Sequence, residues 1–322
     1  MPTRSLAPDL TVRAPTFADA GAAYALDQLC SKLEYGAPDV PLDDFIAHWR
    51  IPGSDLARDT WLVTARDGGK IVGYARIILF AQTRFYSSLL VHPDYRERGV
   101  GEWLLGLTEE RARELLDETA VKGRMVILHE VNEPNIWAAR LVEAHGYRAI
   151  RSHLRMEIAL DEPPAEPPAP EGLTLRTLIP GQDDHAAWEA NNDGFADHWN
   201  FTPIPYEFWA HWTVANESFD PTLCFLMTDG DEIAGMAQCE AAGDLGWVND
   251  LSVRKPWRRR GIAYTLLRHT FAEFYRRGLR TVALGVDAES TTGAPQLYTR
   301  AGMRPTRRKL VYEKVLRDAP TE

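Results

Sequence analysis

The sequence predicts an α/β (α+β) protein made of two tandem domains, each a sheet flanked by helices. Three observations support this prediction. The same order of apolar-periodic segments occurs twice, both copies carry a basic, glycine-containing loop between a strand and a helix, and a proline-rich segment separates the copies. A chain of 322 residues with 45% hydrophobic residues is long enough to bury two cores.

The first copy is assigned to residues 1–160, and its elements follow from apolar spacing and turn signals. The expected order is a strand at 10–14, helices at 17–34 and from Pro41 onward, strands at 61–65 and 71–80 joined across Asp67-Gly-Gly-Lys70, a strand at 85–91, a helix at 101–119, a strand at 125–131, a helix at 135–145 and a strand at 154–160.

Residues 161–172 contain five prolines among acidic and small residues. Such a segment cannot pack a core and favours an extended, semi-rigid connector, so we place the domain boundary here. The second copy, residues 173–322, repeats the order. It has a strand at 173–178, helices at 185–196 and 206–214, strands at 223–228, 233–240 and 247–253, a helix at 264–275, a strand at 282–286, a helix at 294–301 and a strand at 310–315.

Each copy contains the pattern Arg-x-x-Gly-x-Gly/Ala, which we name the first basic loop (96–101) and the second basic loop (258–263). The first turn of a helix attracts anions, and glycine lets a phosphate approach the backbone. An arginine run is also typical of a solvated surface, but its recurrence at the same place favours a pyrophosphate site. The candidate residues are Arg96, Arg98, Gly99 and Gly101 in the first loop and Arg258, Arg259, Arg260, Gly261, Ile262 and Ala263 in the second.

Composition excludes several classes of function. The formal net charge of −10 argues against general nucleic-acid binding. No run of about 18 apolar residues predicts a membrane span, and no secretion signal is recognised. The three cysteines, Cys30, Cys224 and Cys239, lack close spacing and predict reduced, buried thiols without a metal site. We therefore expect a soluble cytoplasmic protein.

The order of elements and the two basic loops resemble the GNAT superfamily of N-acetyltransferases, in an arrangement similar to mycothiol synthase-like two-domain acetyltransferases. The resemblance implies two tandem GNAT domains, each with a mixed, mostly antiparallel sheet, and acetyl-CoA as cosubstrate. It also implies that the strand before each loop and the strand after its helix run parallel and separate to admit the pantetheine arm. The backbone N–H groups of Leu251 and Val253 would then polarise the acetyl carbonyl.

Alignment of the two copies on their basic loops separates them chemically. The second copy has Asp250 where the first has Ser88, and Tyr298 where the first has Val142. Acetyl transfer needs a neutral amine and a hydrogen bond to the leaving thiolate, and the resemblance places the thiolate acid at this tyrosine. We expect a degenerate N-terminal domain and a catalytic C-terminal domain, with Asp250 as general base, directly or through a water, and Tyr298 as general acid.

Alternatives remain open for both residues. Tyr298 is also compatible with packing its ring on the sheet, and Asp250 with binding only the following loop or a solvent cation. Asn249, on the opposite face, is the fallback for Asp250. Asp287 and Glu289 are further carboxylates near the expected cleft, although acids at a strand end are usually solvated or cap a helix.

The resemblance implies that the link between the first two helices of a domain borders the acceptor site. The candidates in the second copy are Asp197, His198, Trp199, Asn200 and Trp209. Helically spaced aromatics more often form a core, so the loop residues are the stronger candidates.

The expected function is an acetyl-CoA-dependent N-acetyltransferase that moves an acetyl group to a primary amine of a small molecule, directly and through a tetrahedral intermediate. The alternatives are a non-catalytic acyl-CoA-binding sensor or scaffold and a protein N-acetyltransferase, because a binding loop implies binding but not transfer. We expect a small-molecule amine acceptor, no nucleic-acid or membrane partner, no metal, and a monomer or homodimer.

Overall fold

The computed structural model describes residues 6–37, 42–66, 69–80, 83–118 and 123–318. The chain forms two compact units. Unit 1 combines the chain up to Arg151 with the part from Lys309 onward, and unit 2 is Ser152–Arg308. The predicted tandem architecture is therefore present, but these bounds differ from the expected domains 1–160 and 173–322. The reason is that the last strand of each sequence copy pairs within the other unit.

The strands and helices of the two sequence copies follow the same order. The first copy contains β1 (Leu10–Arg13), α1 (Ala20–Tyr35), α2 (Leu42–Trp49), α3 (Leu56–Asp59), β2 (Thr60–Ala65), β3 (Ile71–Phe80), β4 (Arg84–Val91), α4 (Val100–Glu118), β5 (Met125–Asn132), α5 (Ile136–Ala144) and β6 (Arg148–Ala159). The second contains β7 (Thr174–Thr177), α6 (Asp184–Phe195), α7 (Tyr206–Trp212), β8 (Cys224–Asp229), β9 (Glu232–Ala242), β10 (Leu245–Val253), α8 (Ile262–Arg276), β11 (Thr281–Asp287), α9 (Ala294–Arg300) and β12 (Arg304–Arg317).

These elements confirm the order expected from the sequence. The short helix α3 was not expected, and the last strand of each copy begins earlier than expected: β6 at Arg148 rather than at residue 154, and β12 at Arg304 rather than at residue 310. The tip of the expected Asp67-Gly-Gly-Lys70 turn, the expected helix start at Pro41 and the expected helix end at residue 119 lie outside the described residues.

Each unit contains a mixed, mostly antiparallel sheet. The strand order is β1-β2-β3-β4-β5-β12 in unit 1 and β7-β8-β9-β10-β11-β6 in unit 2. The pairs β4/β5 and β10/β11 are parallel, so a long crossover through α4 or α8 joins their strands. β12 pairs antiparallel with β5, and β6 pairs antiparallel with β11.

Helices cover both faces of the unit 2 sheet. Ile262, Leu266 and Phe271 of α8 bury one face together with Tyr298 of α9. Ala187 and other residues of α6 pack with α7 on the opposite face. The helix-period apolar stripes of the sequence are therefore the faces that form the two cores.

The proline-rich connector has no helix or strand and lies along α8 within unit 2. Arg268 Nε donates to Ala165 O at 3.1 Å, and the Glu166 carboxylate contacts His269 at 2.8 Å and Arg276 at 2.7 Å. These polar contacts hold an extended segment that has little apolar surface to bury.

Candidate active site in unit 2

The second basic loop adopts an unusual backbone before α8. A short 3₁₀ turn ends at Trp257, Arg258 is extended, and Arg259 has a φ of +62°, which non-glycine residues rarely adopt. Gly261 caps α8 with a φ of +85°, and no atom beyond its chain neighbours lies within 4 Å of a Cβ built there. Left-handed residues in a turn form anion-binding concavities, and the helix N-terminus adds positive partial charge. This backbone suits a phosphate.

Arg258 anchors the second basic loop. Its Nε donates to Val253 O at 3.0 Å, its Nη2 to Gly194 O at 3.0 Å and its Nη1 to the Asp197 carboxylate at 2.5 Å. Lys255 Nζ lies 2.7 Å from the same carboxylate. The Arg258 guanidinium therefore joins β10 to α6 and to the segment after α6.

The other two arginines of this loop are exposed. Arg260 Nη2 donates to Glu171 O of the connector at 3.2 Å, and its Nη1 lies 3.8 Å from Asp229. Arg259 and Arg260 therefore supply positive charge at the surface beside Gly261, whereas Arg258 holds the loop against β10 and α6.

β10 and β11 separate beyond their first halves. Their parallel ladder ends at the pair Val248 and Leu284, whereas the strands continue to Val253 and Asp287. The separation that the resemblance implies is therefore present, and it opens toward the second basic loop.

The backbone of β10 directs two N–H groups toward this opening. Arg254 N donates to Ala234 O of β9 at 3.0 Å. Because successive N–H groups of a strand point to opposite edges, those of Leu251 and Val253 point away from β9, toward the edge that β11 has left.

A β-bulge decides which face of the sheet carries Asp250. Val248 pairs with Cys239 and Asp250 pairs with Gln238, so Asn249 is the extra residue. Val248 belongs to the core beneath α8, and without the bulge Asp250 would point to the same face. The bulge turns Asp250 to the face covered by α6 and α7 and leaves Asn249 exposed.

Asp250 is half-buried beside α6. Asn191 Nδ2 donates to Asp250 Oδ2 at 3.3 Å. Burial raises the pKa of Asp250 to about 6, and the Asn191 hydrogen bond opposes that rise. Gly194 permits this proximity, because a Cβ there would lie 2.6 Å from Ser252 Cβ. A carboxylate with this pKa is ionised at neutral pH and still accepts a proton readily, which suits a general base.

Tyr298 lies on α9, and its ring packs in the core beneath α8. Within the described parts of the chain, its hydroxyl has no hydrogen-bond partner. Burial, and secondarily the charge of Asp250, raises the pKa of Tyr298 to about 12. The phenol therefore keeps its proton at neutral pH, and its O–H is available to donate a hydrogen bond. The ring itself packs in the core, as the alternative interpretation of Tyr298 predicted.

Three buried polar atoms near Asp250 lack a hydrogen-bond partner among the described residues: Asn191 Oδ1, Gln238 Oε1 and Ser252 Oγ. Gln238 faces Asp250 across the β9/β10 ladder, and Ser252 lies two residues further on the same face. Unpaired buried polar atoms are rare in folded proteins, so this cluster is a candidate for contacts with an acceptor. The sequence analysis did not identify these residues, although Gln238 interrupts an apolar strand pattern.

Two of the expected acceptor residues, Trp209 and Asp197, are instead engaged by other residues of unit 2. Trp209 is 4% exposed and belongs to the core beneath α6 and α7, as the alternative of a core aromatic predicted. Asp197 is engaged by Lys255 and Arg258.

The other three expected acceptor residues follow α6. His198 is half-buried with its ring centroid 4.5 Å from that of Phe195, and burial lowers its pKa. Trp199 and Asn200 are exposed, and Asn200 has a φ of +57°. These three remain candidates for acceptor contacts.

The alternative carboxylates at the end of β11 are engaged locally. Glu289 accepts hydrogen bonds from Ser152 N at 3.1 Å and Ser152 Oγ at 3.0 Å. Asp287 Oδ1 accepts from Glu289 N at 3.0 Å. Asp250 is therefore the stronger candidate for the base.

Unit 1 has a different arrangement at the corresponding positions. The β3/β4 ladder runs regularly over residues 84–91, without a shift in register. Ser87 Oγ is hydrogen-bonded to His129 Nδ1 at 2.8 Å, and burial lowers the pKa of His129 to about 4. Val142, which corresponds to Tyr298, is buried and apolar. Unit 1 therefore has neither the carboxylate nor the phenol.

None of the helices in the described ranges is both long and apolar enough to cross a membrane. Across those same ranges, no group of three or more His, Cys, Asp or Glu side chains is placed to hold a metal ion. All three cysteines are buried free thiols, and burial raises the pKa of Cys30 and of Cys239 to about 12.

Comparisons with known proteins agree with this geometry. The chain matches the Acetyltransferase (GNAT) family twice, over residues 23–147 and 185–303. The mycothiol acetyltransferase of Thermobispora bispora is 33% identical over 248 residues, which cover 73% of this chain and 77% of that protein. The mycothiol acetyltransferase of Frankia casuarinae is 30% identical over 307 residues, which cover 88% and 81%.

Solved structures show the same fold. A GCN5-related N-acetyltransferase from Sphaerobacter thermophilus has a TM-score of 0.82 and 36% identity, and the match covers 99% of each chain. A tandem GNAT protein from the clavulanic acid biosynthesis pathway has a TM-score of 0.72 and 17% identity, covering 97% of this chain and 100% of that one. The second likeness supports the fold alone.

The fold, the duplicated loop and these relatives define the class of protein: an acyltransferase enzyme with two tandem domains. The chain belongs to the GNAT family of acetyltransferases, which its sequence matches in both copies. The resemblance stated from the sequence is thereby confirmed.

Proposed function

We propose that this protein transfers an acetyl group from acetyl-CoA to a primary amine of a small molecule, directly and through a tetrahedral intermediate, and that unit 2 carries the reaction. The observation that supports this most is the position of Asp250. The bulge in β10 turns its carboxyl onto the face of α6, close to the point where β10 and β11 separate.

The second basic loop fits the pyrophosphate of acetyl-CoA. The backbone of Gly261, Ile262 and Ala263 forms the N-terminus of α8, and Arg259 and Arg260 add exposed charges beside it. Acetyl-CoA supplies the acetyl thioester when bound. Arg258 would act by holding the loop in shape.

Backbone donors would stabilise negative charge at the acetyl carbonyl. The N–H groups of Leu251 and Val253 point toward the opening between β10 and β11. Donors already oriented toward a developing oxyanion need no reorganisation during the reaction, which makes their stabilisation effective.

Asp250 would remove a proton from the acceptor ammonium, directly or through a water. Its raised pKa of about 6 keeps it ionised at neutral pH but makes it a stronger base than a solvated aspartate. Asn191 would hold the carboxylate in place through its hydrogen bond.

Tyr298 would donate a hydrogen bond to the leaving sulfur. Its pKa of about 12 lies about 3.5 units above that of an ordinary thiol, so full proton transfer to the thiolate would be uphill by about 5 kcal/mol. A hydrogen bond that strengthens as the sulfur gains charge needs no such transfer.

The acceptor would lie between Asp250 and the segment after α6. The unpaired oxygens of Asn191 and Gln238 suit the N–H groups of an amine, and Trp199 and Asn200 would contact the rest of the molecule. The curated relatives are named mycothiol acetyltransferases, which supports a small-molecule acceptor.

The test is release of free thiol by the full-length chain from acetyl-CoA and a panel of primary amines that includes an amino sugar, a polyamine and a peptide N-terminus. We expect turnover with a small amine and a loss of at least tenfold in Asp250→Asn and in Tyr298→Phe. The matched control is Ser88→Ala, at the position that corresponds to Asp250, which should retain full activity.

Three results would contradict the proposal. Unchanged turnover in both unit 2 variants would refute the assignment of catalysis to unit 2. Binding of acetyl-CoA without thiol release for any amine would support the sensor alternative, and acetylation of the peptide alone would support protein N-acetylation.

A further inference from the structure

We infer that unit 1 closes its first basic loop with its own side chains, so that one chain binds one acetyl-CoA, at the second basic loop. This inference rests on the proposed function only for the identity of the ligand. The sequence pattern alone predicts a second cofactor site at Arg96, Arg98, Gly99 and Gly101, but the contacts of these residues indicate the opposite.

The backbone of the first basic loop is wound differently from its counterpart. A 3₁₀ helix covers Pro93–Arg98 and reaches Gly99, whereas the 3₁₀ turn before the second basic loop covers only Lys255–Trp257. A 3₁₀ helix bonds each N–H to a carbonyl three residues earlier. The N–H groups at the end of this 3₁₀ helix, before Gly99, are therefore engaged within the first loop.

The indole of Trp137 packs against the first turn of α4. A Cβ built on Gly101 would lie 2.7 Å from Trp137 Cη2 and 2.7 Å from Leu141 Cδ2, so α5 lies directly against this glycine. The counterpart of Trp137 in the second copy is Gly293, 156 positions later, which is also the spacing between Gly146 and Gly302 after α5 and α9. The second copy therefore has no side chain in this position.

Both arginines of the first basic loop are engaged by unit 1. The Arg96 guanidinium carbon lies 5.2 Å from the centre of a Trp137 ring, and its Nη2 lies 3.6 Å from Glu34 Oε1. Arg98 pairs with Asp9 at 2.7 Å. In unit 1 the Arg96 guanidinium thus lies between Glu34 and the Trp137 ring.

Glu34 also spans the opening between β4 and β5. It accepts hydrogen bonds of 2.6 Å from Asn132 Nδ2 and of 2.6 Å from Asn135 Nδ2, and its side chain is 8% exposed. Asn132 ends β5 and Arg96 follows β4, so Glu34 connects the ends of the two separating strands. In unit 2, Asp197 contacts only Lys255 and Arg258 among the ion pairs described, all on the β10 side.

Acetyl-CoA that enters between the ends of β4 and β5 would meet Glu34, which is held there by Arg96 and by both asparagines. Binding in unit 1 would therefore compete with these contacts. Binding at the second basic loop breaks none of these contacts, because all of them lie in unit 1.

The test is isothermal titration of the full-length chain with acetyl-CoA, together with two variants whose folding is checked by circular dichroism. We expect a stoichiometry near one for the wild type. Arg259→Glu with Arg260→Glu should weaken binding at least tenfold, because two exposed charges beside the phosphate site are reversed. Arg96→Met removes the arginine that Glu34 and Trp137 contact in unit 1, and it should leave the stoichiometry and the Kd unchanged.

A stoichiometry of two would overturn the inference, and so would one tight site that is lost in Arg96→Met and kept in the double variant. A stoichiometry of two would leave the proposed function intact, whereas a single site in unit 1 would also contradict the proposal that unit 2 carries the reaction. No heat of binding in any variant, confirmed by equilibrium dialysis, would instead refute the proposed use of acetyl-CoA.

Discussion

The substitution Asp250→Asn tests the electrostatics of the site through stability as well as through activity. Asn191 and the bulge place this carboxyl where burial raises its pKa from 3.8 to about 6. Each unit of pKa shift corresponds to about 1.4 kcal/mol, so the ionised form destabilises the fold by at most about 3 kcal/mol. Because Asp250 is only half-buried, water screens part of this, and we expect roughly 1 to 2 kcal/mol.

The sign of the pH dependence follows from the direction of the shift. A folded-state pKa above the unfolded value means that the folded protein binds the proton more tightly, so stability is lost as pH rises from about 4 through about 6. Asparagine is neutral at every pH. The variant should therefore match the wild type near pH 4 and be more stable above pH 7.

The assay is thermal unfolding of wild type and Asp250→Asn side by side from pH 4 to pH 8. Other acids titrate in both proteins, so the difference between the two melting temperatures isolates this carboxyl. We expect a gain of a few degrees above pH 7, since about 1 kcal/mol shifts Tm by roughly 2 to 4 °C in a folding unit of the size of unit 2. In the wild type, kcat/KM should rise with an apparent pKa near 6. A melting-temperature difference that does not vary with pH would refute the reasoning.

Three further substitutions test the surroundings of this carboxyl. Tyr298→Phe should lower kcat by roughly 10- to 100-fold and leave the Kd for acetyl-CoA within twofold, measured by steady-state kinetics and titration, because only the hydrogen bond to sulfur is lost. Arg258→Met should destabilise unit 2 by about 1 to 2 kcal/mol in urea unfolding and weaken acetyl-CoA binding, because the loop loses its contact with Asp197. Unchanged binding in this variant would show that Arg258 does not shape the loop. Gly194→Ala should destabilise by about 1 to 3 kcal/mol in the same assay, because its Cβ would lie 2.6 Å from that of Ser252, and a neutral effect would contradict the close approach of α6 to β10.

The order of strands and helices is predictable from the sequence because side-chain periodicity reflects the face that each element buries. Ile262, Leu266 and Phe271 predict α8 in this way, and they form its core. The partners of β6 and β12 are not predictable by the same route. Both strands end a sequence copy with comparable patterns, and which sheet each one joins depends on packing rather than on its own residues.

Some residues of the candidate site are likewise predictable from the sequence, and others are not. The second basic loop is recognisable from the sequence because its pattern recurs in the first copy. Asp250 and Tyr298 are recognisable because the first copy has different residues at the corresponding positions. Asn191 and Gln238 are not, since isolated amides on a helix and a strand carry no pattern. Only the β9/β10 register and the approach of α6 bring them to the carboxyl.

The sequence by itself determines which chemical groups this protein has and that its fold is duplicated. Tertiary structure decides which of those groups are available. A one-residue shift at Asn249 sets the face of Asp250, and Glu34, 98 positions from Asn132, closes a loop whose pattern matches the open one. The physical reason is that local spacing records the periodicity of one element, whereas register and long-range contacts depend on how the whole unit packs.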